Sequence, residues 1–110
     1  MFILLPKPLQ LMKVQMHSVH FDADQKLLDF IQKRLDKLET FYDRVIEGEV
    51  ILKLNNKDGI SNKTVEVKVF VPGSTLFCQE DAPTFETATD AAYDCLRRQI
   101  VKYKEKQVAH

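Results

Sequence analysis

Basic side chains concentrate near the carboxyl terminus of this 110-residue chain, where they could contact phosphate groups. Residues 95–110 carry five bases against one acid, a local net charge of +4. The five bases are Arg97, Arg98, Lys102, Lys104 and Lys106. Guanidinium groups favour bidentate contacts with phosphate, and several such contacts make affinity fall steeply with salt. This end of the chain is therefore a candidate surface for binding a polyanion.

A second group of bases lies earlier in the chain, on a segment with helical spacing. Lys33 and Lys37 are four residues apart, and Arg34 precedes Lys37 by three, so these side chains are neighbours on a helix. If this helix packs beside the basic one, the two groups form one strip. The predicted phosphate contacts are Lys33, Arg34, Lys37, Arg97, Arg98, Lys102 and Lys104.

A simpler explanation of the charge pattern stays open. Residues 80–94 contain five acids and no base, so the last helix is predicted to be acidic at its start and basic at its end. That order complements the helix macrodipole without any partner. Dipole stabilisation acts within the terminal turn, however, whereas Arg97 and Arg98 lie well inside the helix.

The sequence gives little support to other kinds of chemistry. His17 and His20 are an odd number of positions apart on a predicted strand, which sends their side chains to opposite faces. Cys78 and Cys95 lack the spacing of a zinc site, and a chain with three glycines has no glycine-rich phosphate loop. The carboxylates follow helix surfaces and turns. We therefore predict no enzyme, no metal and no cofactor.

The termini and the cysteines indicate a cytoplasmic protein. The apolar stretch from Met1 to Leu5 is too short for a secretory signal, and no segment approaches the roughly 18 uncharged residues of a membrane span. Two cysteines are too few for the disulfide framework of a secreted domain. We expect both to be buried free thiols that act as small hydrophobes.

Alternation and helical stripes predict the elements that position these residues. Alternating apolar and polar residues predict four strands, at Lys13–His20, Glu49–Asn55, Lys63–Val71 and Thr75–Glu80. Stripes with steps of three and four predict one helix from about Asp24 to Tyr42 and another after Pro83. A polar, mobile loop is expected from Asn56 to Asn62, and a turn at Pro72-Gly73-Ser74.

The order β-α-β-β-β-α favours a two-layer α+β fold, in which both helices cover one face of a four-stranded sheet. Its first β-α-β unit predicts a right-handed crossover between parallel neighbours. The length suits one domain, which we place at residues 12–107. Residues 1–11 are predicted to be a loose extension, from an upstream start or as a surface arm, and residues 108–110 a tail.

The formal net charge is zero, with 16 bases against 16 acids. A basic excess is the usual mark of a nucleic-acid binder, so this balance at first argues against one. The charges of the separate segments change that interpretation, because the net charge of zero is the sum of an acidic segment, a basic segment and a roughly neutral remainder. The charge distribution therefore favours a localised basic patch, fitted to one structured RNA site, over a general polyanion binder.

From Met12 to about Gln107 the chain resembles the short form of the bacterial ribosome hibernation promoting factors. These are also called ribosome-associated translation inhibitors or sigma-54 modulation proteins. The segment Ile31–Glu39 resembles the family's first-helix pattern, Phe70–Leu76 its Pro-Gly turn, and Cys95–Ile100 with the following lysines its basic last helix. The order and spacing of these pieces carry the resemblance.

The resemblance implies the same β-α-β-β-β-α fold, with the architecture of a double-stranded-RNA-binding domain. It also implies binding to the small ribosomal subunit and its rRNA near the decoding centre, blocking translation during dormancy without catalysis. The seven predicted bases would contact the rRNA backbone, and Arg34, Lys37, Arg98 and Lys102 fit the family pattern best. We expect no membrane, no small-molecule substrate and a monomer off the ribosome.

Two other function classes remain as alternatives. One is an α+β protein-interaction or ligand-regulatory module that uses the open face of the sheet. It differs from a ribosome binder in its salt dependence, since apolar docking does not weaken as salt rises. The other is a hydrolytic or metal-dependent enzyme, which chelator-sensitive turnover would support.

Overall fold

The computed structural model describes residues 13–42, 44–57 and 60–108. Its elements, in chain order, are β1 (Val14–Val19), α1 (Gln25–Asp36), a 3-10 turn (Lys37–Thr40), β2 (Glu47–Lys57), β3 (Ile60–Val71), β4 (Ser74–Ala82) and α2 (Phe85–Val108). The predicted α+β order is confirmed. The proposed extension at residues 1–11 and the end of the proposed tail lie outside the described residues, so the domain boundaries stay predictions.

The four strands form one sheet in the order β1-β2-β3-β4. Strand β1 pairs with β2 in parallel, as the β-α-β unit predicted, and the other two pairs are antiparallel. Val50 of β2 lies opposite Met16 on one side and Val67 on the other. Successive rows of this kind align the apolar residues of the strands on one face of the sheet.

Both helices cover that apolar face, and α2 contacts β3, β4 and α1. The core consists of alternate strand residues and of helix residues three or four apart. Its fully or almost fully buried members include Ile31, Leu35, Val50, Leu52, Val65, Val67, Val69, Leu96 and Ile100. Burying each side chain of this size contributes about 1.5–3 kcal/mol, so this interface fixes the position of both helices.

Helix α1 begins close to the predicted start, directly after Asp24, and ends earlier than expected. The Asp24 carboxylate accepts a hydrogen bond from the Leu27 backbone N–H at 2.9 Å, which satisfies one free donor of the first turn. The predicted helix to Tyr42 is wrong after Asp36, because the chain tightens into the 3-10 turn. There the Thr40 hydroxyl donates to the Lys37 carbonyl, a local bond that favours the end of a helix.

The predicted loop between β2 and β3 is also wrong for most of its length. The two strands stay paired as far as Lys57 opposite Ile60, so Asn56 and residues 60–62 belong to the ladder. Asp58 and Gly59 lie outside the described residues; Asp-Gly is a typical pair for a two-residue hairpin. The predicted turn at Pro72-Gly73 is confirmed, with φ of 78° at Gly73, a value that favours glycine.

The expectation of two free thiols is wrong, because Cys78 and Cys95 form a disulfide. Cys78 is 2% exposed and lies on the helix-facing side of β4, and Cys95 lies on α2 above it, with 6.3 Å between the Cα atoms. That separation is ordinary for a disulfide. Beside it, the Gln99 side-chain amide donates to the Phe77 carbonyl at 2.9 Å. Together these contacts connect the middle of α2 to β4.

Over the described part of the chain, α2 is the longest helix at 24 residues, and none of the helices is both long and apolar enough to span a membrane.

Candidate nucleic-acid interface

The predicted bases lie on the helix layer, where α1 and α2 contact each other. Arg34 of α1 reaches across to α2, and its Nε lies 2.6 Å from Oδ1 of Asp90. Its guanidinium also stands over the Phe30 ring, 4.7 Å from the ring centre, in a cation–π arrangement. The Nε atom is buried, and its N–H is not aligned for a hydrogen bond, so the contact with Asp90 is mainly ionic.

Two more predicted bases share the α1-facing side of α2. Asp90, Arg97 and Lys104 follow one another at seven-residue intervals, which places them on one side of a helix. Lys104 donates its Nζ hydrogen bond to the Phe41 carbonyl, beyond the end of α1. Arg97 has its Nε 3.9 Å from Oδ1 of Asp94. We call this row, consisting of Arg34, Asp90, Arg97 and Lys104, the interhelical groove.

The remaining predicted bases point away from the core. Lys33, Lys37, Arg98 and Lys102 are exposed, and their side chains have no ion pair or hydrogen bond within the described residues. We call these four residues the outer face. Lys102 also borders a cleft of about 220 Å³ between β4 and α2, which Ser74, Leu76, Gln99, Tyr103 and Lys106 complete.

The sequence therefore placed the predicted bases on the helix layer, as the structure does, but it did not predict that they fall into two groups. It predicted one strip of seven bases, whereas the structure has a groove of bases in contact with other parts of the chain and an outer face of free ones. Sequence reasoning missed Asp90 and Asp94 as partners of these arginines. The spacing of Asp94 and Arg97 was a visible signal, since residues three apart meet on a helix. Whether the seven bases bind RNA stays a prediction.

The opposite face of the sheet has a different character. Two pairs of its side chains lie close together: Lys53 Nζ is 2.6 Å from Oε2 of Glu66, and His17 Nε2 is 3.7 Å from Oε2 of Glu49. Phe77 is 43% exposed there. Among the described residues, no three His, Cys, Asp or Glu side chains are grouped so that they could hold a metal ion. This face offers fewer free cations than the helix layer.

The basic end of α2 is attached to the sheet through Tyr103. Its hydroxyl donates to the Pro72 carbonyl at the β3–β4 turn, and its ring meets Tyr42 edge-on, with 5.4 Å between the ring centres. Burial raises the pKa of the Tyr103 hydroxyl above its usual value, and the neighbouring Tyr42 raises it further, while Arg44 lowers it. These contacts hold the last turns of α2 near β4.

A sequence profile of the family described as sigma 54 modulation protein / S30EA ribosomal protein matches residues 14–108. The match covers all six strands and helices of the fold. The chain therefore belongs to this family, as the sequence resemblance predicted.

Several curated relatives are named ribosome hibernation promoting factor. The chain is 29% identical over 96 residues to the one from Pseudomonas putida, covering 87% of this chain and 90% of that protein. It is 25% identical over 99 residues to the one from Escherichia coli (strain K12), covering 90% of this chain and all of that protein.

Two solved structures have the same fold. A ribosomal subunit interface protein from Coxiella burnetii is 26% identical with a TM-score of 0.77, covering 86% of this chain and 99% of that one. The N-terminal domain of Thermus thermophilus Protein Y has a TM-score of 0.74, covers 84% of this chain and 99% of that one, and is 22% identical. At that identity the second likeness concerns the fold alone.

Proposed function

We propose that this protein is a cytoplasmic ribosome hibernation factor. It binds the small ribosomal subunit near the decoding centre and blocks translation during dormancy by occupying that site, without catalysis. The observation that carries the proposal is the family match over residues 14–108, together with relatives named ribosome hibernation promoting factors.

The helix layer supports an rRNA partner. All seven predicted bases lie there, and the four of the outer face are exposed and without side-chain partners within the described chain. Free cations of this kind release counterions from phosphates on binding, which drives association with RNA. The overall charge of zero limits binding to other polyanions, so affinity depends on one fitted surface. A monomer off the ribosome suffices for this role.

One observation favours the alternative of a protein-interaction module. Phe77 is 43% exposed on the open face of the sheet, where an apolar partner could cover it. Such docking would persist at high salt, because burial of apolar surface does not depend on screened charges. The same experiment therefore tests both proposals.

The test is co-sedimentation of the purified chain with small ribosomal subunits over a salt series from about 50 to 200 mM. We expect the chain to sediment with the subunits at low salt and to be progressively released as salt rises. Absence of co-sedimentation at every salt concentration would contradict the proposal. Binding that is insensitive to salt and is lost in Phe77→Ser would favour the interaction module instead.

A further inference from the structure

We infer that Asp90 and Phe30 are positioning residues for Arg34, and that they hold its guanidinium so that its outer edge receives one phosphate of the bound RNA. The inference rests on the proposed function and adds to it a mechanism for one contact. Neither Asp90 nor Phe30 would touch the RNA.

The geometry assigns different roles to the two edges of the guanidinium. Its Nε side is buried against Asp90, with 2.6 Å between Nε and Oδ1. One face of the group stacks over Phe30 at 4.7 Å. The two terminal amino groups have no partner among the described residues, and 28% of the side chain stays exposed. These terminal groups form the edge that can bind a phosphate through two hydrogen bonds.

A contrasting interpretation is that Asp90 competes with phosphate for Arg34. A competing carboxylate would engage the terminal amino groups, which are the donors that a phosphate uses. Here Asp90 contacts Nε and leaves that edge free. The geometry favours positioning over competition.

The energetic benefit of positioning is conformational. An arginine side chain has several rotatable bonds, and ordering it on binding loses conformational entropy, which reduces affinity. A side chain that is already ordered before binding avoids this loss. The contacts with Asp90 and Phe30 order Arg34 before the RNA arrives. Removing the carboxylate should therefore weaken binding although it removes a negative charge from an RNA-binding surface. A purely electrostatic effect would have the opposite sign.

The test measures binding of small ribosomal subunits to Asp90→Ala, Asp90→Asn and Arg34→Gln, and to the double variant Arg34→Gln with Asp90→Ala. We expect Asp90→Ala to weaken binding about three- to tenfold, the factor for ordering one such side chain. Asp90→Asn keeps the size of the side chain but loses the charge that this mainly ionic contact needs, so it should weaken binding about as much. In the Arg34→Gln background, Asp90→Ala should have no further effect, because it acts through Arg34.

Glu86→Ala is the matched control. Glu86 is exposed one turn before Asp90 on the same side of α2 and has no side-chain partner within the described residues. Its removal deletes the same charge without touching Arg34, so binding should be unchanged or slightly tighter. Urea unfolding of each variant separates a loss of affinity from a loss of fold.

The outcomes distinguish this inference from the proposed function. If the wild-type chain binds and Asp90→Ala binds as tightly or more tightly, positioning is wrong while ribosome binding stands. An equal loss for Asp90→Ala with and without Arg34 would likewise overturn positioning and indicate a general effect on the helix pair. If the wild-type chain itself fails to bind, both are overturned.

Discussion

The interhelical groove and the outer face differ in how their bases are held. In the groove, Arg34 is paired with Asp90, Arg97 lies near Asp94, and Lys104 donates to a backbone carbonyl. On the outer face, Arg98 and Lys102 extend into solvent without partners in the described chain. Both regions carry predicted RNA contacts, but only the first is ordered by the protein itself.

This difference separates two contributions to binding. Ordered cations can select a phosphate at one position and lose little entropy when they bind it. Free cations adapt to several positions and contribute mainly to attraction, to association rate and to salt dependence. If the proposed function holds, a small, neutral domain would thereby combine attraction with selectivity, although its sequence carries no excess of positive charge.

The two sides of α2 are also attached to the domain by different means. Toward α1 the attachment is ionic and hydrogen-bonded, through Arg34 and Lys104. Toward β4 it is covalent, through the Cys78–Cys95 disulfide, with Gln99 and Tyr103 beside it. The predictions that follow test each attachment and each group of bases.

The largest expected effect is that of reducing the disulfide. Cross-linking residues 17 positions apart should stabilise the fold by about 3 kcal/mol, mainly by restricting the unfolded chain. Urea unfolding with and without a thiol reductant measures this difference. The double variant Cys78→Ala with Cys95→Ala has no disulfide, so its unfolding midpoint should be the same with and without the reductant. An unchanged unfolding midpoint after complete reduction would mean that the noncovalent contacts alone fix α2 against β4.

Charge reversal of the outer face should weaken ribosome binding by roughly 30-fold or more, since two charge-assisted contacts are replaced by repulsion. The variant is Arg98→Glu with Lys102→Glu, tested by co-sedimentation with small subunits. Lys68→Glu is the control, because it reverses an exposed lysine on the opposite face of the sheet, although with half of the change in net charge. Equal losses in the variant and the control would remove the outer face from the interface.

The comparison of the two regions also indicates what a sequence can reveal. Period-two alternation at Val65, Val67 and Val69 identified a strand, because burial on one face of a sheet requires that pattern. Helical spacing identified the bases that share a helix surface. Both patterns are local and can be identified from the sequence. The order of the elements that they identify then indicated the fold class and the layer that carries the bases.

Contacts between elements did not follow from local patterns. Arg34 and Asp90 are on different helices, and their pairing depends on how the helices lie against each other. The disulfide depends likewise on the contact of α2 with β4, and counting cysteines gave the wrong expectation. The extended pairing of β2 with β3 was also missed, because the polar residues from Asn56 to Asn62 were interpreted as a loop.

A smaller effect is expected at Thr89, in the packed part of α2. Its side chain is fully buried, and its hydroxyl has no hydrogen-bond partner among the residues that the structure describes. Thr89→Val keeps the shape and removes the unsatisfied group, so it should raise the free energy of unfolding by about 1 kcal/mol. Thr75→Val, at an exposed strand position, should change it little. A destabilised Thr89→Val would indicate that the hydroxyl has a partner in solution.

The smallest effect concerns Tyr103 and alkaline pH. Because burial raises the pKa of this hydroxyl above its usual value, the folded state keeps the proton over a pH range in which the unfolded chain releases it. The stabilisation is complete below the unfolded pKa of about 10 and is lost as pH rises through the folded value. Urea unfolding at a series of pH values from about 8 to 11 should show this decline in the wild type.

Tyr103→Phe lacks the titrating group, so it should be slightly less stable at neutral pH, through loss of the bond to Pro72, and its stability should decline less steeply above about pH 10. Parallel declines in the two proteins would mean that other groups cause the alkaline loss, and that this attachment of the basic end of α2 does not depend on the proton of Tyr103.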